Sequence, residues 1–358
     1  MDNPQNTKRQ PKSLSPKLKW TIRLLFLLFL GVASFYIIKR HQQMEMRTAQ
    51  GKIFGTTYMV KYISSEDLTQ DIVKELDAVN ASLSIFDENS TISKINQNIT
   101  DTIDEHVRYV FNLATQVSQA TDGAFDITVG PLVNLWGFGF KNRGNVTDAQ
   151  IDSLLPLVGY KMYRIEGKSV VKDNVDMVFD CGAVAKGYGV DRVAHALQQH
   201  GVVDYMVEIG GEVVAKGHKD KGQPWVIGIS TPSENAVANQ EIEAKITLSN
   251  KAVATSGNYL NYYEKDGKRY AHTIDPKTGR PVQHSLLSAT VIAADCATAD
   301  AYATSFMVMG QEKARQVLAK HKELQAFFIC DDGKGGTTTW STDGFKKWCH
   351  NNKGGFYS

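Results

Sequence analysis

Nineteen residues from Trp20 to Ile38, WTIRLLFLLFLGVASFYII, carry a single charge, Arg23. A run this long and apolar leaves a chain few options, because ~20 helical residues cross the ~30 Å of bilayer hydrocarbon. Arg23 sits one turn in, within snorkelling reach of the interface, and Trp20 and Tyr36 suit headgroup depth. A cleaved signal peptide is the competing reading. The run is longer than a usual signal core and ends in FYIIKR instead of a small-residue cleavage site, and no cysteine follows it to take a lipid. Basic residues precede it (Lys8, Arg9, Lys12, Lys17, Lys19) and a few follow (Lys39, Arg40, Arg47). That bias favours a cytoplasmic N-terminus, which places everything after residue 40 outside the cytoplasmic membrane.

The rest of the 358 residues reads as ordinary globular protein. Lys and Arg number 40 against 38 Asp and Glu, a formal charge of +2, so no electrostatic footprint for nucleic acid exists. Four cysteines, at 181, 296, 330 and 349, are too few and too scattered for a disulfide framework or a paired zinc site. From residue 50 onward, GTTYMVKYIS alternates like a strand, and residues 67–86 and 106–123 show helical spacing, the second stopped by Gly123. MVFD, a glycine turn and VAKGYGVDRVAHALQQHG read as strand, loop and helix. YMVEIGGEVVAKG, PWVIGIST, EIEAKITLS and KAVATSG read as successive strands. LLSATVIAA is a further strand, ADAYATSFMVMG and EKARQVLAKH are two helices, and LQAFFIC closes the pattern as a strand. Strands in succession with a few long helices predict an α+β fold, not a doubly wound sheet. The expected layout is a basic N-terminus (1–19), a transmembrane segment (20–38), one domain over 50–348 and a tail (349–358).

Five constellations carry polar chemistry. In RYAHTIDPKTGRP (269–281), Asp275-Pro276 and Thr278-Gly279 build a tight loop after a strand that ends at His272. An imidazole there suits either proton transfer or plain hydrogen bonding to the loop. In TADAYATSF, Asp300 and Thr304 are four residues apart on one helix face, as hard magnesium ligands or as an ordinary helix start. In DCGAVAKGYGVD, Asp180 ends a strand and Lys186 opens a helix, whose N-terminus can receive a phosphate or which is an ordinary strand-to-helix connection with a solvated lysine. Its glycine spacing matches neither a Rossmann fingerprint nor a P-loop. The aromatics between glycines in DGAFDITVGPLVNLWGFG can line a slot for a planar ring or pack as core. SIFDENSTISKIN (84–96) is a polar loop running into a helix.

In order, FGTTY, SIFDENSTISKIN, GAFDITVGPLVNLWGFG, DCGAVAKGYGVD, VEIGGEV, ATSGNYLNYY, HTIDPKTGRP and LSATVIAADCATADAYATSFMVMG resemble the FAD:protein FMN transferase family, also called ApbE, over about residues 50–330. The resemblance implies an α+β, T-fold-like core and a transferase. Such an enzyme cleaves the pyrophosphate of FAD, attaches FMN by a phosphoester to a Ser or Thr of a partner protein and releases AMP. It implies Mg²⁺ held by Asp300, Thr304 and the main-chain carbonyl of Ala183. FAD contacts fall on Phe54, Phe86, Asp87, Glu88, Ala124, Phe125, Asp126, Asp180, Lys186 and Ile274, and His272 takes the place of the general base. Phe54 stands where many members have methionine, which preserves an apolar wall. Acceptors are flavoproteins with an Asp-x-x-Ser/Thr-Gly-Ala-Thr-like motif, which this chain lacks, so self-modification is not expected. Hydrolysis of FAD to FMN and AMP, and flavin binding without turnover, are the alternatives. Many relatives are lipoproteins; here the apolar helix would anchor the protein in a bacterial inner membrane with its domain on the periplasmic side. That oxidising location suggests a Cys330–Cys349 disulfide across the DDGKGGTT hairpin, with Cys181 and Cys296 as buried fillers.

Overall fold

The computed structural model describes residues 15–42, 44–138, 146–232, 241–258, 262–265, 268–271 and 273–349. The chain divides into two units, residues 1–45 with 64–66 and residues 46–63 with 67–358. The first contains α1 (Pro16–Gln42), a helix with no acidic residue in its opening turn. Its Pro16–Lys39 stretch is long and apolar enough to cross a membrane, and none of its most apolar window is buried. A helix that is apolar all round is stable in a non-aqueous surrounding or buried against other protein.

In chain order, β1 (Glu45–Ile53) and β2 (Thr56–Ser64), all but their end residues Glu45 and Ser64 in the second unit, are followed by α2 (Thr69–Leu83), α3 (Thr91–Asn96), α4 (Glu105–Ala120), α5 (Gly130–Leu135) and α6 (Asp148–Leu154). The ribbon β3 (Tyr163–Glu166) and β4 (Ser169–Lys172) precedes α7 (Gly182–Gln199). Then come β5 (Tyr205–Ile209), β6 (Glu212–Lys216), β7 (Trp225–Ser230), β8 (Ile242–Leu248), β9 (Lys251–Gly257), β10 (Tyr262–Lys265) and β11 (Lys268–Ala271). The short strands β12 (Ile274–Asp275) and β13 (Arg280–Pro281) lead to β14 (Leu286–Ala293), α8 (Cys296–Lys320), β15 (Gln325–Asp331) and β16 (Thr337–Ser341). Eight strands form one sheet in the order β1-β2-β5-β6-β9-β14-β15-β16. This is an α+β architecture, as the run of strands requires.

Both faces of the sheet are covered, and strand alternation divides the core between them. On β5, Tyr205, Val207 and Ile209 point toward the helices, while Met206 joins the other face. The helical face takes α2, α4, α7 and α8 with Phe111, Val184, Phe306 and Phe328. The opposite face is closed by the β7–β8 hairpin through Trp225, Ile229, Ile246 and Leu248, together with Phe345. Amphipathic α4 is capped by Asp104, whose carboxylate accepts from the Val107 amide at 2.9 Å, and it stops before Gly123 at φ 75°.

Several expectations change in detail. MVFD forms no strand: Phe179 is paired by a side chain, its amide donating to Asn96 Oδ1 (2.8 Å) and its carbonyl accepting from Asn96 Nδ2 (2.9 Å), while the Met177 and Asp180 amides donate to the Asn174 and Ile127 carbonyls. YMVEIGGEVVAKG is two strands, because Gly210 and Gly211 adopt φ 59° and 100° and reverse the chain. The expected break between two helices near residue 310 holds: Gly310 (φ 74°, ψ 169°) is non-helical and parts α8 into two helices across a kink. β15 does not close the fold, since β16 pairs beyond it. The Cys330–Cys349 disulfide is absent. Cys330 packs on the helical face of β15 and Cys349 lies against the other face, so the sheet stands between two free thiols.

Candidate active site

Two tight hairpin tips and two helix starts converge on a cavity of about 1020 Å³. The β1–β2 tip is Phe54-Gly55 at φ 51° and 73°, both residues left-handed, as a two-residue hairpin of this twist demands. Phe54 is an unusual residue for that conformation, and its ring lies against α7 where a Cβ on Gly189 would be 2.6 Å from Cε2. The β5–β6 tip, Gly210-Gly211, delivers Glu212 to the cavity wall.

The helix starts approach closely because glycine lets them. A Cβ on Gly187 would lie 2.4 Å from the Cys296 carbonyl oxygen and 2.8 Å from Asp300 Cβ. Asp191 of α7 accepts the amides of Cys296 and Ala297, each at 2.8 Å, fixing the first turn of α8. Burial lifts the Asp191 carboxyl to about 7. Asp295 caps the same helix by accepting from the Thr298 amide at 2.9 Å.

This fastening sets Asp300, 4% exposed, beside the start of α7, where its Oδ2 accepts the Gly187 amide at 3.0 Å. That amide is the one a regular helix directs to the Ala183 carbonyl, so Asp300 and that carbonyl meet at one turn. Thr304, one turn further along α8, also lines the cavity. Burial raises the Asp300 carboxyl, and the positive charge of Lys186 opposes the rise. The Lys186 ammonium is ion-paired with Glu212 Oε1. Burial disfavours its charge, but the carboxylates of Asp300 and Glu212 outweigh burial and push it up to about 12. Glu212 is 2% exposed and pushed up to about 8, first by burial and then by the Asp300 charge.

The remaining walls come from three loops. Asp180 holds the start of α7 by accepting the Gly182 amide at 2.8 Å, and burial raises its carboxyl. Asp126 is raised by burial too; its Oδ1 accepts from Thr128 Oγ1 (2.6 Å) and the Thr128 amide (2.9 Å), a turn that presents Ala124 and Phe125 to the cavity. The DPKTGRP loop is a hairpin of β12 and β13 closed by Gly279 at φ 68°, and Trp136 Nε1 donates to the Gly279 carbonyl at 2.7 Å. Ile274 lines the cavity from that loop, while Phe86, 71% exposed, and Asp87 form a lip.

The structure therefore brings Phe54, Phe86, Asp87, Ala124, Phe125, Asp126, Asp180, Ala183, Lys186, Ile274, Asp300 and Thr304 to one cavity. Glu88 is exposed and does not line it, and His272 lies outside the described residues. Among the described residues no three His, Cys, Asp or Glu side chains converge as a ready metal cluster. Sequence reasoning gave no role to Glu212 or Asp191. A glutamate straight after Gly-Gly and before an apolar strand was the available signal for the first.

A family profile described as ApbE family matches residues 54–328. The chain belongs to the ApbE family. Its relatives include the FAD:protein FMN transferase of Vibrio cholerae serotype O1, 39% identical over 327 residues that cover 88% of this chain and 95% of the relative. The Escherichia coli K12 protein of the same name is 34% identical, with 84% and 89% covered. Among solved structures, the flavin transferase ApbE from Vibrio cholerae superposes with TM-score 0.77 at 37% identity, covering 85% of this chain and 99% of that one. The ApbE protein from Thermotoga maritima gives TM-score 0.76 at 30% identity, with 86% and 100% covered. Every hairpin tip, helix start and loop around the cavity falls inside the segment matched as ApbE family.

Proposed function

We propose that this ApbE-family chain transfers FMN from FAD to a Ser or Thr hydroxyl of a partner flavoprotein and releases AMP. The observation that carries this reading is the single cavity in which apolar walls (Phe54, Phe125, Ile274) meet a buried charged end (Asp180, Lys186, Glu212, Asp300). Its volume, about 1020 Å³, suits a ligand at the large end of the usual range. A flavin dinucleotide has this division, with a flat ring system at one end of an anionic pyrophosphate.

The donor set fits Mg²⁺. Asp300, Thr304 and the Ala183 carbonyl offer only hard oxygens and too few to fill six positions, which leaves room for water and phosphate oxygens. Bound there, the metal would offset pyrophosphate charge as the phosphoryl group moves. The chain's own groups do the rest. Lys186 supplies fixed positive charge at the pyrophosphate, and the α7 N-terminus adds partial positive charge. Phe54 and Phe125 hold the flavin end, and Asp126 and Asp180 fix the loops that carry the walls. By family resemblance His272 accepts the proton of the acceptor hydroxyl as its oxygen bonds to the FMN phosphorus and the bond to AMP breaks.

The same reading gives α1 the role of membrane anchor, with residues 1–19 on the cytoplasmic side and the domain over 50–348 outside the inner membrane. Incubation of the full-length protein with FAD, Mg²⁺ and a peptide carrying the Asp-x-x-Ser/Thr-Gly-Ala-Thr motif tests the reaction by mass spectrometry. An FMN adduct on the peptide hydroxyl with stoichiometric AMP is expected. FMN and AMP without adduct would mean that water is the acceptor.

A further inference from the structure

Two carboxylates and one ammonium sit together at the charged end of the cavity. Lys186 shares this end of the cavity with Asp300 and Glu212 and feels the charge of both, yet its hydrogen-bonded ion pair is with Glu212. Asp300 keeps only the Gly187 amide as a hydrogen-bond partner among the described residues. Glu212 makes a poor structural residue: its Oε2 is buried with no hydrogen-bond partner among the described residues. Folding alone does not favour a half-satisfied buried carboxylate at a hairpin tip, since an apolar side chain there would bury at less cost.

We infer that Glu212 is a positioning residue, the counter-charge that holds the Lys186 ammonium off Asp300 and so keeps the Asp300 carboxylate open to a divalent cation. Without Glu212, the carboxylate left acting on the Lys186 charge is Asp300. The ammonium would pair with it and occupy the position a metal needs. Lys186 charge is useful at a pyrophosphate, so the site has to keep it while denying it the metal carboxylate. A dedicated second carboxylate on a different element, the β5–β6 tip, does both. The inference rests on the assignment of Asp300 to the metal.

The test is the affinity for Mg²⁺ alone, measured by calorimetry on the full-length protein in detergent, with the Mg²⁺ concentration for half-maximal transfer as a second readout. Glu212→Gln keeps the size and removes the charge, so Mg²⁺ binding should weaken about tenfold, as expected for a unit charge lost nearby in a partly polar site. Lys186→Met in the Glu212→Gln background should restore binding to near the wild-type value, because the competing cation is gone. A merely structural role for Glu212 would not be rescued by removing a second polar group. Wild-type affinity in Glu212→Gln, or a double variant as weak as Glu212→Gln, would overturn the inference. Should Glu212→Gln not fold, Glu212→Asp, which keeps the charge but shortens its reach to Lys186, takes its place: weaker Mg²⁺ binding that Lys186→Met restores is expected, and wild-type affinity or a failure to restore it overturns the inference. Loss of binding in Asp300→Ala, run beside these, checks the underlying metal assignment separately.

Discussion

The Asp191 carboxylate on α7 accepts the Cys296 amide at the first residue of α8, 2.8 Å away, and the Ala297 amide at the same distance. This joint holds two helix starts in register, one carrying Ala183 and Lys186, the other Asp300 and Thr304. Because burial raises Asp191 to about 7, the folded state disfavours its ionised form. The associated stability is fully present below the unfolded value near 4 and is lost as pH rises toward 7. Asp191→Asn should remove this titration and flatten the fall in unfolding free energy over that window by up to about 1.4 kcal/mol per pH unit. Urea unfolding at a series of pH values reads it out.

Gly187 is the contact point of those helices. A methyl group there meets the Cys296 carbonyl at 2.4 Å, and backbone cannot move aside as a flexible side chain can. Gly187→Ala is expected to destabilise the domain by about 1–3 kcal/mol and to lower transfer further by displacing Asp300. Thermal unfolding beside activity at a permissive temperature separates the two effects.

Asp300→Ala should reduce transfer at least about a hundredfold, since it deletes the one anionic ligand of the proposed metal set. Stability should hold or rise, because the variant removes a buried carboxyl that burial already disfavours in its charged form. A melting temperature at or above wild type with activity lost is the expected pair of results.

His272→Ala should leave FAD affinity within a few-fold and slow transfer by ~10²–10⁴, the usual contribution of a general base. Fluorescence titration of FAD and a mass-spectrometric rate assay measure the two quantities. An unchanged rate across neutral pH would take His272 out of the mechanism.

Deleting residues 1–42 removes α1 and no cavity residue. The product should partition to the soluble fraction and keep its transfer rate. Intact-mass analysis of the native protein from membranes should find Trp20–Ile38 still attached.

The apolar run, the α+β order of elements and the pairing of Asp300 with Thr304 on one helix face were legible along the chain, because each depends on spacing within a single element. The motifs in order were enough for the family resemblance. Turn-level and cross-element facts were not. MVFD reads as a strand by composition, but the side chain of Asn96, 83 residues away, takes the backbone bonds of Phe179, and the Asp180 amide goes to the Ile127 carbonyl. Cys330 and Cys349 look close across a hairpin, yet the two-residue period of β15 turns Cys330 to the face opposite Cys349. Glu212 and Asp191 acquire meaning only in three dimensions, one by facing Lys186 across a hairpin tip, the other by holding the amides of a helix 105 residues on. A sequence fixes the local period of its side chains. Which charges share a buried site is decided by long-range packing, where the cost of desolvating each group depends on neighbours that sequence distance does not reveal.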